Sequence, residues 1–86
     1  MASTTPGPAA FGAASRADLA LLSKREAEVL QITALGLTNR EAAARLGVSV
    51  HAVKFHLAAV YRKLHVANRT QAVATFLSAQ ADLRGD

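Results

Sequence analysis

Residues 38–58 read TNREAAARLGVSVHAVKFHLA, and three positions in that run set its shape. Ala43 is small enough to let two helices cross closely. Gly47, four residues on, can adopt the positive φ that a sharp turn needs. Val53, six residues further, can anchor a second helix against the first. This is the spacing of a helix-turn-helix over about 39–58, with the second helix turning a polar face outward. The same spacing also fits an ordinary helical hairpin, so these three residues alone leave that choice open.

Outward from the motif, three start signals recur. Ser23 precedes Glu26 by three residues, Thr38 precedes Glu41, and Asn68 precedes Gln71. Each pair matches a capping box, in which the first side chain accepts from the N3 amide and the third-position side chain reaches back to the N-cap amide. A helix over about 24–35 follows, with Leu22 as a staple and Val29, Leu30 and Thr33 facing inward. Gly36 suits a left-handed cap after it. The helix over 39–46 places Ala42, Ala43 and Leu46 on one side, and Ser49 offers a fresh N-cap after Gly47. Val53, Leu57, Val60 and Leu64 then line one side of a helix over 50–64. A last helix covers about 69–80 and presents Ala72, Val73 and Phe76. Strand alternation and Asn-Gly or Asp-Gly turns are absent. The expected class is all-α, a four-helix bundle containing a helix-turn-helix.

The bulk properties agree. Eighty-six residues make one small domain. With no cysteine there is neither a disulfide frame nor a thiolate metal site. One Tyr, three Phe and no Trp leave Leu, Val and Ala to fill the interior. Residues 1–18 hold both prolines and no periodic pattern, and read as a flexible tail or the end of an interdomain linker. The folded domain is expected over 19–81, with a disordered tail at 82–86. No apolar run approaches the ~20 residues of a membrane span, and no secretory signal opens the chain, so the expected location is cytoplasmic.

Charge is unevenly placed. Between 38 and 69, Arg40, Arg45, Lys54, Arg62, Lys63 and Arg69 face Glu41 alone, a net +5. The remainder of the chain carries −1, for +4 overall. A basic middle on a near-neutral chain is the footprint of a polyanion binder.

The segment over 22–77 closely resembles the LuxR-type (GerE-like) helix-turn-helix domain. The likeness is carried by Leu22-Ser23-x-Arg25-Glu26, Gly36-Leu37-Thr38-Asn39, Val53-Lys54-x-His56, Lys63-Leu64 and Asn68-Arg69, in order and at family spacing. The resemblance implies a transcription regulator that binds double-stranded DNA, dimerises through its last helix and reads an inverted repeat, with RNA polymerase as a further partner. It implies base contacts from Lys54, Phe55 and Ala58. Lys54 could donate to guanine O6 or N7, and Phe55 could pack on a thymine methyl. It implies phosphate contacts from Asn39, Arg40, Ser49, Val50, His51, and Arg62 or Lys63. By the same likeness Thr70, Ala74 and Leu77 form the stripe of the homodimer contact.

Four positions depart from the family pattern. Ala42 replaces a large aliphatic, so the packing there is expected to be looser or refilled by neighbours such as Phe55. Ala52 replaces a threonine, Ala58 a longer polar residue, and His65 the glycine after Lys63-Leu64. Histidine tolerates positive φ better than a β-branched residue does, so the helix is still expected to end there.

Other chemistries are poorly served. His51 and His56, five apart, fall on different faces of one helix and His65 lies nine residues further on, with no carboxylate or thiolate at ligand spacing, so neither a metal nor a cofactor is expected. Ser23 has no histidine or acid arranged as for a nucleophile, which argues against an enzyme. The reading from a different class is a four-helix protein-interaction module that keeps the fold without DNA binding, and Ala52 and Ala58 are its support.

Overall fold

A computed structural model of the protein describes residues 16–83. A short helical turn, α1 (Arg16–Leu19), leads into α2 (Lys24–Ala34), α3 (Asn39–Leu46), α4 (Val50–Leu64) and α5 (Arg69–Leu83). There is no strand among the described residues. The all-α expectation holds, with a helix-turn-helix formed by α3 and α4.

The start signals work as local chemistry. Ser23 Oγ accepts the Glu26 amide at 3.1 Å while Glu26 Oε1 accepts the Ser23 amide at 2.9 Å. Thr38 and Glu41 do the same at 3.1 and 2.8 Å. Each box satisfies two of the donors that a helix start leaves orphaned. The third pair differs. Asn68 Oδ1 accepts the Gln71 amide at 3.0 Å, but Gln71 Oε1 takes the amide of Ala67, at 2.7 Å. The Val66 amide has already turned back to the Tyr61 carbonyl, so Ala67 is the next donor along that turn. At α4 the cap is a half box, because Ser49 Oγ accepts the Ala52 amide at 3.0 Å and alanine has nothing to return.

The stops are equally local. Gly36 (φ 94°), Gly47 (φ 70°) and His65 (φ 58°) take left-handed conformations. Behind two of them the amide five residues on bonds back into the helix, Val48 to Ala43 and Val66 to Tyr61, both at 3.0 Å. His65 thus ends α4 as expected of it, in a conformation a glycine would hold with less strain.

Two apolar clusters hold the helices together. Val29, Ile32, Ala42, Ala43, Val53 and Leu57 form one, flanked by Leu37, Leu46, Val48 and Tyr61. Leu30, Val60, Leu64 and Ala72 form the other, flanked by Leu19, Leu22, Tyr61, Val66 and Phe76. α4 contributes to both, so it runs through the domain as a shared wall. Ala42 is 1% exposed within the first cluster. It shares that cluster with Val29, Ile32, Val53 and Leu57, whereas Phe55, expected as a filler, is 69% exposed and lies outside it.

Two stretches differ from the expected outline. Residues 16–18, placed in the tail, belong to α1, whose Leu19 packs on the second cluster. α5 continues past 80 to Leu83. Over residues 69–81 its buried positions are Ala72, Thr75 and Ala79, with Val73 and Phe76 only half-buried. Small side chains take the seam and the larger ones flank it. The expectations for residues 1–15 and 84–86 lie outside the described residues.

Candidate nucleic-acid interface

At 100° per residue, positions 51, 54, 55, 58 and 62 fall on one side of α4. His51, Lys54, Phe55, Ala58 and Arg62 are all exposed there, opposite the buried Val53, Leu57, Val60 and Leu64. No acidic residue occurs anywhere in α4, and its last turn is basic. The outward face therefore carries positive charge without local cancellation. Of the expected base-contacting residues, Lys54, Phe55 and Ala58 thus share one open surface.

The N-terminal ends of α3 and α4 are also open to solvent. Ser49, Val50 and His51 are exposed at the start of α4, and Arg40 is exposed in the first turn of α3. Ser49 Oγ satisfies only the Ala52 amide, which leaves the first amides of the helix to an outside acceptor. Glu41 is the one acid of this basic segment. Its carboxyl is held below the ordinary carboxylate range, first by the hydrogen bond from the Thr38 amide and then by the Thr38 hydroxyl. It stays ionised as a cap.

Two expected phosphate-contacting residues have partners of their own. Lys63 Nζ lies 2.8 Å from Glu26 Oε1 and 3.4 Å from the Leu21 carbonyl, so its ammonium is engaged toward α2. The pairing holds the Glu26 carboxyl below its usual range, Lys63 being the largest cause. At the end of α4, Arg62 is the exposed cation. Asn39, half-buried, accepts at Oδ1 from Arg69 Nη1 at 2.8 Å, and Arg69 Nη2 donates to the Leu37 carbonyl. Reading the sequence missed both Glu26 and Arg69 as organisers of this surface. Their partners lie 37 and 30 residues away, beyond any local pattern.

His56, half-buried, meets Phe55 edge-on with ring centroids 5.7 Å apart. Among the described residues, no three His, Asp or Glu side chains are grouped to hold a metal ion. Tyr61 sits between the two clusters, and burial pushes its phenol up, partly opposed by the nearby Arg69 charge. On α5, Thr70 and Ala74 are exposed and Leu77 is 52% exposed, a side distinct from the buried Ala72, Thr75 and Ala79.

An acid-free, outward helix face behind a sharp turn is the architecture of a DNA-reading helix-turn-helix. The family model described as bacterial regulatory proteins, luxR family (GerE), matches residues 12–76. The chain belongs to the LuxR family of bacterial regulatory proteins. Its relatives carry matching names. The protein of Hyphomicrobium methylovorum named "Probable transcriptional regulatory protein SgaR" is 49% identical over 57 residues, 66% of this chain and 27% of that protein. The transcriptional activator protein EsaR of Pantoea stewartii is 44% identical over 69 residues, 80% of this chain and 28% of its own length. The transcriptional activator protein RaiR of Rhizobium etli is 47% identical over 55 residues, 64% and 23% respectively. The chain thus spans about a quarter of the length of these relatives. As a LuxR-family domain it is a DNA-binding regulator module rather than an enzyme. None of the described helices is long and apolar enough to cross a membrane.

Proposed function

We propose that this LuxR-family domain binds a promoter as a homodimer, with α4 of each copy in the major groove of one half of an inverted repeat. The observation that carries the reading is the outward face of α4, where Lys54 and Phe55 stand exposed on a helix with no acid. Lys54 would donate to guanine O6 or N7, Phe55 would meet a thymine methyl, and Ala58 would let the helix approach closely without a polar contact of its own. Arg40, Arg62, the Asn39 amide and the N–H groups following Ser49, at Val50 and His51, would fix the register on the phosphates. Lys63, occupied by Glu26, would add to the field rather than to a direct contact.

Dimerisation would use Thr70, Ala74 and Leu77, whose exposure on α5 leaves them available. Two recognition helices one DNA turn apart, ~34 Å, then require a site with two-fold symmetry. Bacterial promoters and RNA polymerase lie in the cytoplasm, which is where such a regulator would act.

The test is selection of bound duplexes from a random pool, followed by titration of the best site. Lys54→Ala is expected to weaken that site by ~1–3 kcal/mol while sparing random duplex more. Log K should fall with log salt at a slope of ~0.9 per phosphate contact, or ~3–4 for a dimer using Arg40 and Arg62 from each copy. Selection of no site, or a Lys54→Ala protein that binds the selected site as tightly as the parent, would refute the assignment.

A further inference from the structure

Arg69 is the first residue of α5, yet its guanidinium bonds to another part of the molecule. Nη1 donates to Asn39 Oδ1 and Nη2 to the Leu37 carbonyl. These two acceptors bracket Thr38, the residue that caps α3. One planar fork therefore grips both sides of the turn from which α3 starts. Both acceptors are neutral, so the bonds orient the guanidinium without cancelling its charge.

The grip also decides which way the Asn39 amide points. Arginine has donors and no acceptor, so the Asn39 atom that meets it must be the carbonyl oxygen. The amide nitrogen, with two protons, is then the atom left to donate elsewhere. It sits in the first turn of α3, next to the exposed Arg40. A single side chain thus links the beginning of α5 with the turn that opens α3.

We propose that Arg69 is a positioning residue for DNA backbone recognition: it presents the Asn39 amide nitrogen to a phosphate and fixes the α3 turn against the start of α5. The proposal rests on the DNA-binding reading above, and it makes a phosphate contact on α3 depend on a residue of the helix proposed to dimerise.

The test is a double-substitution cycle on the selected duplex, read by fluorescence anisotropy, with thermal melts of every variant. Asn39→Ala and Arg69→Gln are each expected to lower affinity about tenfold or more, from the lower end of the range for a hydrogen bond to a charged group upward. Together they should lose little more than either alone, because Arg69 acts through Asn39. Arg69→Lys keeps the charge but not the fork, and should bind about three- to tenfold more weakly than the parent with an unchanged salt slope. A purely structural role would lower the melting temperature of Arg69→Lys and leave its affinity, measured well below the melt, at the parent value. That result overturns the proposal, as do losses that multiply in the double variant. Should Arg69→Gln fail to fold, the Arg69→Lys affinity decides by the same criterion. Failure of the underlying reading looks different: the parent itself then selects no duplex, whereas a parent that binds and a Lys54→Ala variant that does not isolate the fault to Arg69.

Discussion

Replacing Glu26 with alanine removes two hydrogen bonds that end on one oxygen. Oε1 accepts the Ser23 amide at 2.9 Å and the Lys63 ammonium at 2.8 Å. The capping half contributes about 1 kcal/mol. A charge-assisted bond contributes about 1.5–3 kcal/mol, and the lower end applies here because the Lys63 side chain keeps 34% of its surface exposed and can rehydrate. The expected loss is about 2–3 kcal/mol. In a domain of this size each kcal/mol moves Tm by about 4–8 °C, so Glu26→Ala should melt about 8–24 °C below the parent. Glu26→Gln keeps an acceptor for the cap but no charge for Lys63, and should lose about half as much. Urea unfolding followed by circular dichroism at neutral pH measures both, provided the slope with denaturant is unchanged.

Acid gives the same pair a second signature. The Glu26 carboxyl is held below its ordinary value of 4.5, chiefly by Lys63 and next by the Ser23 amide, against the opposing effect of burial. The unfolded chain therefore takes up this proton at higher pH than the folded one. The contribution is complete above about 4.5 and fades as pH falls through the lower folded value, so the gap between parent and Glu26→Gln should narrow in acid. An alanine variant within about 0.5 kcal/mol of the parent at neutral pH, or a gap that widens in acid, would refute the reasoning.

Leu30 is fully buried in the second cluster, and Leu30→Ala should cost about 3 kcal/mol in the same unfolding assay; a loss under about 1 kcal/mol would mean the cluster is not packed as described. His65→Gly should stabilise by about 0.5–1 kcal/mol by relieving the left-handed conformation at φ 58°, and a lower denaturation midpoint would count against that strain. The Thr75 hydroxyl is buried with no hydrogen-bond partner among the described residues. Thr75→Val, of nearly the same shape, should therefore be neutral or stabilising by about 1 kcal/mol, and a clear loss would reveal a bond that the hydroxyl makes.

What was legible in the sequence was what is decided within a few residues. The Ser23 and Thr38 caps, the Gly47 turn and the 3.6-residue spacing of Val53, Leu57, Val60 and Leu64 all settle locally, and the structure reproduces them. Packing partners were less legible. Nothing near Ala42 says that Val29 and Leu57, rather than Phe55, share its cluster. The seam of α5 was misjudged between large and small residues, because helical spacing gives a side of the helix without saying which neighbours approach it. The candidate site divided in the same way. The shared exposure of Lys54, Phe55 and Ala58 follows from the helical spacing of α4, whereas the engagement of Lys63 by Glu26 and of Asn39 by Arg69 joins distant segments.

The separation of faces on α4 bears on how such a domain can change over generations. Its inward residues hold both clusters, while His51, Lys54, Phe55, Ala58 and Arg62 touch neither. If α4 reads DNA as proposed, substitutions at Lys54, Phe55 and Ala58 would alter which operator is preferred while leaving the melting behaviour nearly as it was. On that reading target preference would be free to drift along a lineage without a trade against folding, and a duplicated copy would need only a handful of changes on one side of one helix to prefer a new site.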